Sequence, residues 1–272
     1  MHAAQAKGFV PKPAAAAFLG HGSPMNAIER NRYTAAWRAL GIAAPRPRAV
    51  LVISAHWYVP GTIVTTMARP RTIHDFGGFP HALFDVRYPA PGMPELIQEV
   101  AEVVQPTPVL GDDRQWGLDH GAWSVLRHVY PEADVPVVQL SIDSRLRPEQ
   151  HFELGLRLAA LRQRGVMLLG SGNVVHNLRA MHWRDPDSVF DWARRFDEHA
   201  RVVMTTRPEQ APALVGHPDY KLCVPTPEHF LPLLYLAGCA VGSGDRPTVL
   251  VDGYAFGSLS MTAYGIGVGG RH

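Results

Sequence analysis

The stretch Ala49-Val50-Leu51-Val52-Ile53-Ser54-Ala55, running on into His56-Trp57-Tyr58, decides the fold class. A short run of apolar, partly β-branched residues without polar alternation reads as a buried strand. Runs of the same kind occur at 15–20, 136–142 and 166–170, and residues 62–67, 248–254 and 258–266 form further candidates. Between them lie helical patterns at 94–104, 148–164, 187–205 and 227–240. In the second of these, Leu154, Leu158 and Leu161 share one helical face, and Gly165 follows as a stop. Strands alternating with helices predict an α/β fold with a central, mostly parallel mixed sheet flanked by helices on both faces. The last two strands are close enough in sequence to form an antiparallel pair.

The chain has 272 residues, 46% of them hydrophobic and 18% charged, which is the composition of a folded globular protein. No repeat, low-complexity tract or long linker divides it, so residues 1–272 are expected to form a single catalytic domain, with residues 1–13 as a flexible N-terminus. A net charge of +2 leaves no basic footprint for nucleic acid or an anionic membrane. No apolar run approaches the roughly 20 residues of a spanning helix, and Lys7, Pro11, Lys12 and Pro13 interrupt any signal-like segment. A cytoplasmic location follows as the default expectation. Cys223 and Cys239 are too few for a disulfide scaffold.

Histidine carries the chemistry, with 14 residues in the chain. His21 follows the first strand in Phe18-Leu19-Gly20-His21-Gly22-Ser23-Pro24, His56 follows the second, and His176 comes shortly after Gly170-Ser171-Gly172-Asn173. Ligands of open α/β sheets sit outside the carboxyl ends of the strands, so three such imidazoles are expected to converge. A helix opening near His229 adds a fourth candidate, with Glu228 beside it. Neighbours on a helix point about 100° apart, so only one of the two should join a shared ion. Three His would suit zinc or a non-haem metal, and two His with a carboxylate would make the facial triad of Fe(II) oxygenases.

In Gly117-Leu118-Asp119-His120-Gly121, His120 is either a substrate-side acid or donor, or simply a first-turn residue behind an Asp119 cap. His74 lies in a long Gly/Pro-rich loop with several aromatics, a composition found in lids and substrate walls. Ser23 and Ser54, next to the candidate ligands, are expected to hydrogen-bond around the site rather than to act as nucleophiles. There is no G-x-S-x-G elbow, Walker loop, C-x-x-C or H-E-x-x-H. The one G-x-G-x-x-G, at Gly265, Gly267 and Gly270, has no room for a following helix.

Taken in order, His21-Gly22-Ser23-Pro24, Ser54-Ala55-His56-Trp57, Ile73-His74-Asp75-Phe76-Gly77-Gly78-Phe79-Pro80, Tyr88-Pro89-Ala90-Pro91-Gly92, Gly117-Leu118-Asp119-His120-Gly121, Pro136–Ser141 and Gly170–Asn177 form a specific set. The set resembles the DOPA-type extradiol aromatic ring-opening dioxygenases of the class III, protocatechuate 4,5-dioxygenase-like superfamily. That resemblance implies a mononuclear non-haem metal held by His21, His56 and His229, with His176 as a fourth ligand or the active-site base. It implies that His120 contacts substrate or intermediate, and it favours His229 over Glu228. Fe(2+) is the implied working metal, and Zn(2+) can bind the same imidazoles. The implied substrates are O2 and a catechol such as DOPA, opened to a muconic semialdehyde by a monomer or small homo-oligomer. Two other readings of the same His cluster are a zinc-dependent hydrolase and a non-catalytic binding member of the superfamily.

Overall fold

Ten strands and a set of covering helices are traced by a computed structural model that describes residues 12–269. The strands are β1 (Ala16–Gly20), β2 (Ala49–Val59), β3 (Thr62–Thr65), β4 (Val109–Asp112), β5 (Val137–Asp143), β6 (Val166–Gly172), β7 (Thr248–Val251), β8 (Tyr254–Ala255), β9 (Leu259–Ser260) and β10 (Ala263–Ile266). Eight of them form one sheet in the order β4-β3-β5-β2-β6-β1-β10-β7, and β8 pairs with β9 in a separate two-stranded ribbon. The central strands β5, β2, β6 and β1 run parallel. β10 is antiparallel to both β1 and β7, so the chain end does close the sheet with an antiparallel pair. The expected segment 1–13 falls mostly outside the described residues, as does Gly270 of the glycine motif.

Alternate residues of the central strands enter two cores. Leu51, Ile53, Leu140 and Leu168 pack with Leu154, Leu158, Phe196 and Leu234 on one face. Val50, Val52, Val137 and Leu169 pack with Trp37, Leu40, Trp123 and Leu126 on the other. The sheet is therefore an α/β layer with helices on both faces, and its central strands read as unbroken apolar runs because neither face meets water.

Several boundaries differ from the sequence pattern. The helix expected over 148–164 is two, Pro148–Leu158 and Ala160–Gln163, where Arg162 N turns to Ala159 O and its side chain is drawn to Ala14 O and Asp245. Two elements carry no strong pattern. In the helix Arg32–Ala43, started by the Asn31 capping box, only Thr34, Trp37 and Leu40 are buried. β4 is a half-exposed edge strand. The expected strand 248–254 breaks at Gly253, whose φ of 138° is left-handed backbone that glycine accepts without strain. The expected strand 258–266 divides into β9 and β10 where Met261 N turns back to Gly253 O. Among the described residues no helix is long and apolar enough to cross a membrane. Cys223 and Cys239 are both buried free thiols.

Candidate active site

Five imidazoles meet at the carboxyl-terminal side of β1, β2 and β6. His21 directly follows β1, and Gly22 behind it takes a φ of 59°, a turn closed to most side chains. His56 lies inside β2 rather than beyond it. Ile53 pairs with Leu140 and Tyr58 with Ile142, so Ser54–Trp57 form an irregularity opposite the single residue Ser141. Such a bulge bends the strand and re-aims its side chains, which is how a residue of the sheet turns into the site. His176 follows β6, where an isolated bridge to Leu259 and a backbone bond to Cys223 fix its main chain. His229 sits in the turn Pro227–Phe230, and the helix expected to open near it begins two positions later, at Leu231–Ser243. Asn173 ties that turn to β6 through a 2.8 Å bond from its N–H to His229 O.

Asp119 caps the helix His120–Val129 by accepting from Ala122 N, and His120 in the first turn faces the cluster. The ring centroids of His56 and His120 are 3.9 Å apart, those of His21 and His229 5.3 Å, and those of His176 and His229 3.5 Å. His21, His56 and His120 form the tightest triad, with ligand nitrogens all within 4.8 Å of one another. His229 borders that triad, its ring 5.1 Å from that of His56.

Hydrogen bonds at the outer nitrogens set which edge faces inward. Ser171 Oγ donates to Gly121 O at 2.6 Å, so toward His21 Nδ1 at 3.0 Å it is the acceptor. Asp75 takes His56 Nδ1 on one oxygen at 3.2 Å, and His120 Nδ1 and backbone N on the other at 3.0 and 2.9 Å. Glu228 stands 3.2 Å from His229 Nδ1. Each Nδ1 thus donates outward and each Nε2 keeps a bare lone pair, the tautomer a metal-binding imidazole needs.

The lone pairs of His21 and His56 face each other with Nε2 atoms 3.2 Å apart. Two bare nitrogens at that distance repel unless a proton or a metal ion lies between them. Two imidazoles on one ion at about 2.1 Å would stand roughly 3.0–3.4 Å apart. The donor set therefore fits a metal.

Burial pushes the basicity of His21 and His229 well below the usual histidine range, and the neighbouring imidazoles push it further. Burial also lowers His120, and brings His176 to about 4. His56 is the exception: burial opposes its charge, yet Asp75 and the nearby carboxylates raise it above the ordinary value. Asp75 is itself desolvated, but its two imidazole partners hold it far below the carboxylate range, as an anion.

Over the cluster opens a cavity of about 430 Å³. Ser54 lies behind it, donating to Asp119 at 2.6 Å, whereas Ser23 only caps the following turn at Met25 N. His74 stays out of the cluster and bonds Val86 O. Its loop contributes the adjacent Asp75, whose role the sequence pattern left unassigned. Ser171, in the run Gly170-Ser171-Gly172, likewise carries no role in the sequence pattern.

A doubly covered α/β sheet with imidazoles converging at its carboxyl edge makes a small-molecule site whose donor set could hold a metal ion. Residues 16–267 match the family described as the catalytic LigB subunit of aromatic ring-opening dioxygenase. The chain is 52% identical over 257 residues to the 4,5-DOPA dioxygenase extradiol of Escherichia coli K12, covering 93% of this chain and 94% of that protein. It is 36% identical over 257 residues to the 4,5-DOPA dioxygenase extradiol of Beta vulgaris, covering 91% and 94%. The crystal structure of an uncharacterized protein from Escherichia coli K12 superposes with a TM-score of 0.82 at 45% identity, covering 93% of this chain and 100% of that one. The chain belongs to the LigB family of aromatic ring-opening dioxygenases and is an extradiol dioxygenase.

Proposed function

We propose that the protein opens a catechol ring, adjacent to its two hydroxyls, with incorporation of both atoms of O2 to give a muconic semialdehyde. Its relatives named for 4,5-DOPA make DOPA-type catechols the first substrates to consider. The observation that carries the reading is the pair of Nε2 atoms of His21 and His56, 3.2 Å apart at the inner end of an apolar cavity.

His21, His56 and His229 would hold the metal, with Fe(2+) as the working ion. Zinc also suits such a set, because affinity order does not favour Fe(II) over it. A bound Fe(II) supplies Lewis acidity toward the two catechol oxygens and a route for electrons from ring to O2. The protein does the rest. His176, kept unprotonated by burial, accepts a phenolic proton and binds the catechol as its anion. His120, oriented through Nδ1 by Asp75, presents its bare Nε2 to the substrate, takes up the second phenolic proton there and returns it when the O–O bond breaks. Phe76, edge-on to His120 at 5.4 Å, keeps bulk water from these proton transfers.

The test is oxygen uptake by anaerobically iron-loaded protein given DOPA and simple catechols, read together with the yellow absorbance of a semialdehyde. Uptake matched by product and abolished in His56→Ala supports the assignment. No uptake across the panel, with iron verified in the protein, defeats it.

A further inference from the structure

Asp119 is fully buried, and capping a helix occupies only one of its two carboxyl oxygens. Oδ1 accepts from Ala122 N at 3.0 Å and from Ser54 Oγ at 2.6 Å. Oδ2 accepts from Gln139 Nε2 at 2.7 Å and from Trp116 Nε1 at 3.3 Å. Gln139 is itself buried, and its Oε1 accepts from Asp119 N at 3.0 Å, which turns its amide nitrogen toward the carboxyl group. Donors on both oxygens leave no place for an acid proton, so the side chain is the carboxylate.

All of those donors are neutral. Among the described residues Asp119 forms no ion pair with Arg or Lys, and Asp75, the other carboxylate beside the cluster, pairs only with His56 and His120. A buried anion held by dipoles alone is unfavourable unless a cation lies near it. The place for one is close by. A carbon added at Gly121 would lie 3.2 Å from Asp119 Oδ1 and 2.8 Å from His56 Cδ2, the ring carbon bonded to the inward-facing Nε2. The Asp119 side chain bonds none of the five imidazoles and does not line the cavity.

We propose that Asp119 supports the metal by its charge: from behind His56 it strengthens the hold of the imidazole cluster on a divalent cation and makes a bound iron easier to oxidise. The proposal rests on the metal site of the reading above and adds a residue that touches neither ion nor substrate. Neutral imidazoles bring no charge to a dication. Asp119 supplies one without taking a coordination position, which leaves open positions for catechol and O2. Its field is weakly screened because the ground between carboxylate and ring is buried. Asp75 acts differently, by fixing His56 and His120 through their Nδ1 atoms.

The test separates charge from hydrogen bonding. Asp119→Asn and Asp119→Ser keep a good helix cap and remove the charge. The double variant Asp119→Asn/Gln139→Glu moves the charge to the neighbouring side chain and keeps the hydrogen bond between the two. Ser54→Ala removes the shortest neutral donor and keeps the charge. Folding of each metal-free variant is checked by thermal melting, zinc affinity by chelator competition, and the Fe(III)/Fe(II) potential on iron-loaded protein. The two neutral variants should bind zinc about 10–100-fold more weakly than wild type and show a more positive potential. The double variant and Ser54→Ala should both stay closer to wild type than either neutral variant. Unchanged zinc affinity in a folded neutral variant overturns the proposal, as does a loss in Ser54→Ala equal to that in Asp119→Asn. If neither neutral variant folds, the double variant decides: affinity near wild type supports the charge, and a loss of about tenfold or more overturns it. Zinc binding without ring cleavage strikes only at the dioxygenase reading, and the zinc affinities still decide this proposal. Wild-type protein that holds no zinc defeats both.

Discussion

His176 and His229 lie stacked, with ring centroids 3.5 Å apart and planes 4° from parallel. Neutral imidazoles accept such contact, whereas two imidazolium rings would repel each other at this distance. At most one of the pair is an imidazolium, and burial disfavours the charged form of both. This arrangement suits a division of labour in which His229 binds an ion through Nε2 and His176 handles protons.

Replacing His176 with Ala should lower kcat by about 10²–10⁴-fold, the usual worth of a positioned general base. Metal content should stay at one ion per chain, because His21, His56 and His229 are untouched. Metal analysis beside steady-state kinetics checks both halves. Loss of the ion in proportion to loss of activity would make His176 a ligand instead.

His120 and His229 compete for the third ligand position. Proximity favours His120, which joins His21 and His56 in the tighter nitrogen triad. Hydrogen bonding does not separate them, because Asp75 holds His120 Nδ1 as it holds that of His56 and Glu228 stands at His229 Nδ1, so the family resemblance is what favours His229. We expect His229→Ala to lose the metal, and His120→Ala to keep it while losing most turnover. Chelator-competition titrations of the two variants give the answer, and the reverse result would place His120 in the coordination shell.

Asp75 holds two imidazoles with one carboxylate. Its amide variant can accept from only one of them, since the amide nitrogen is a donor. Asp75→Asn should therefore weaken metal affinity by about 10–100-fold, the common cost of losing a partner that orients a ligand. Because those imidazoles hold Asp75 far below the carboxylate range, its bridge persists as pH falls through about 4, where ordinary carboxylates protonate. A metal-binding curve that tracks an ordinary carboxylate titration would contradict that role.

How much of this was legible in the sequence follows from distance along the chain. The central strands announce themselves, because burial on both faces leaves unbroken apolar runs such as 49–55, and a His just past such a run is placed by topology alone. His56 was placed beyond its strand because nothing in Ser54-Ala55-His56-Trp57 signals a bulge, which arises from pairing with β5. Asp75 went unassigned because its partners His56 and His120 lie 19 and 45 positions away, and loop residues follow no period. The helix Arg32–Ala43 was hidden for another reason: three buried positions make too thin a stripe to stand out.

Asp197 offers a test of stability rather than catalysis. It is 3% exposed and accepts hydrogen bonds from the hydroxyls of Ser260 at 2.6 Å, Thr262 at 2.9 Å and Tyr254 at 3.2 Å, which tie β8 and β9 to the helix Asp191–Thr206. Burial raises its pKa from 3.8 to about 6 against the pull of those three donors. The folded protein therefore binds more protons than the unfolded chain between the two values, so the contribution of Asp197 is greatest in acid and is lost as pH rises through about 6. A shift of this size corresponds to on the order of 3 kcal/mol, with stability falling as pH rises across that window. Asp197→Asn should flatten this segment of the profile, since the amide does not titrate. Urea unfolding of metal-free wild type and variant, from about pH 4 to about pH 7, reads the difference. Parallel profiles for the two proteins would show that Asp197 titrates normally and that its hydroxyl partners fully replace the water it lost.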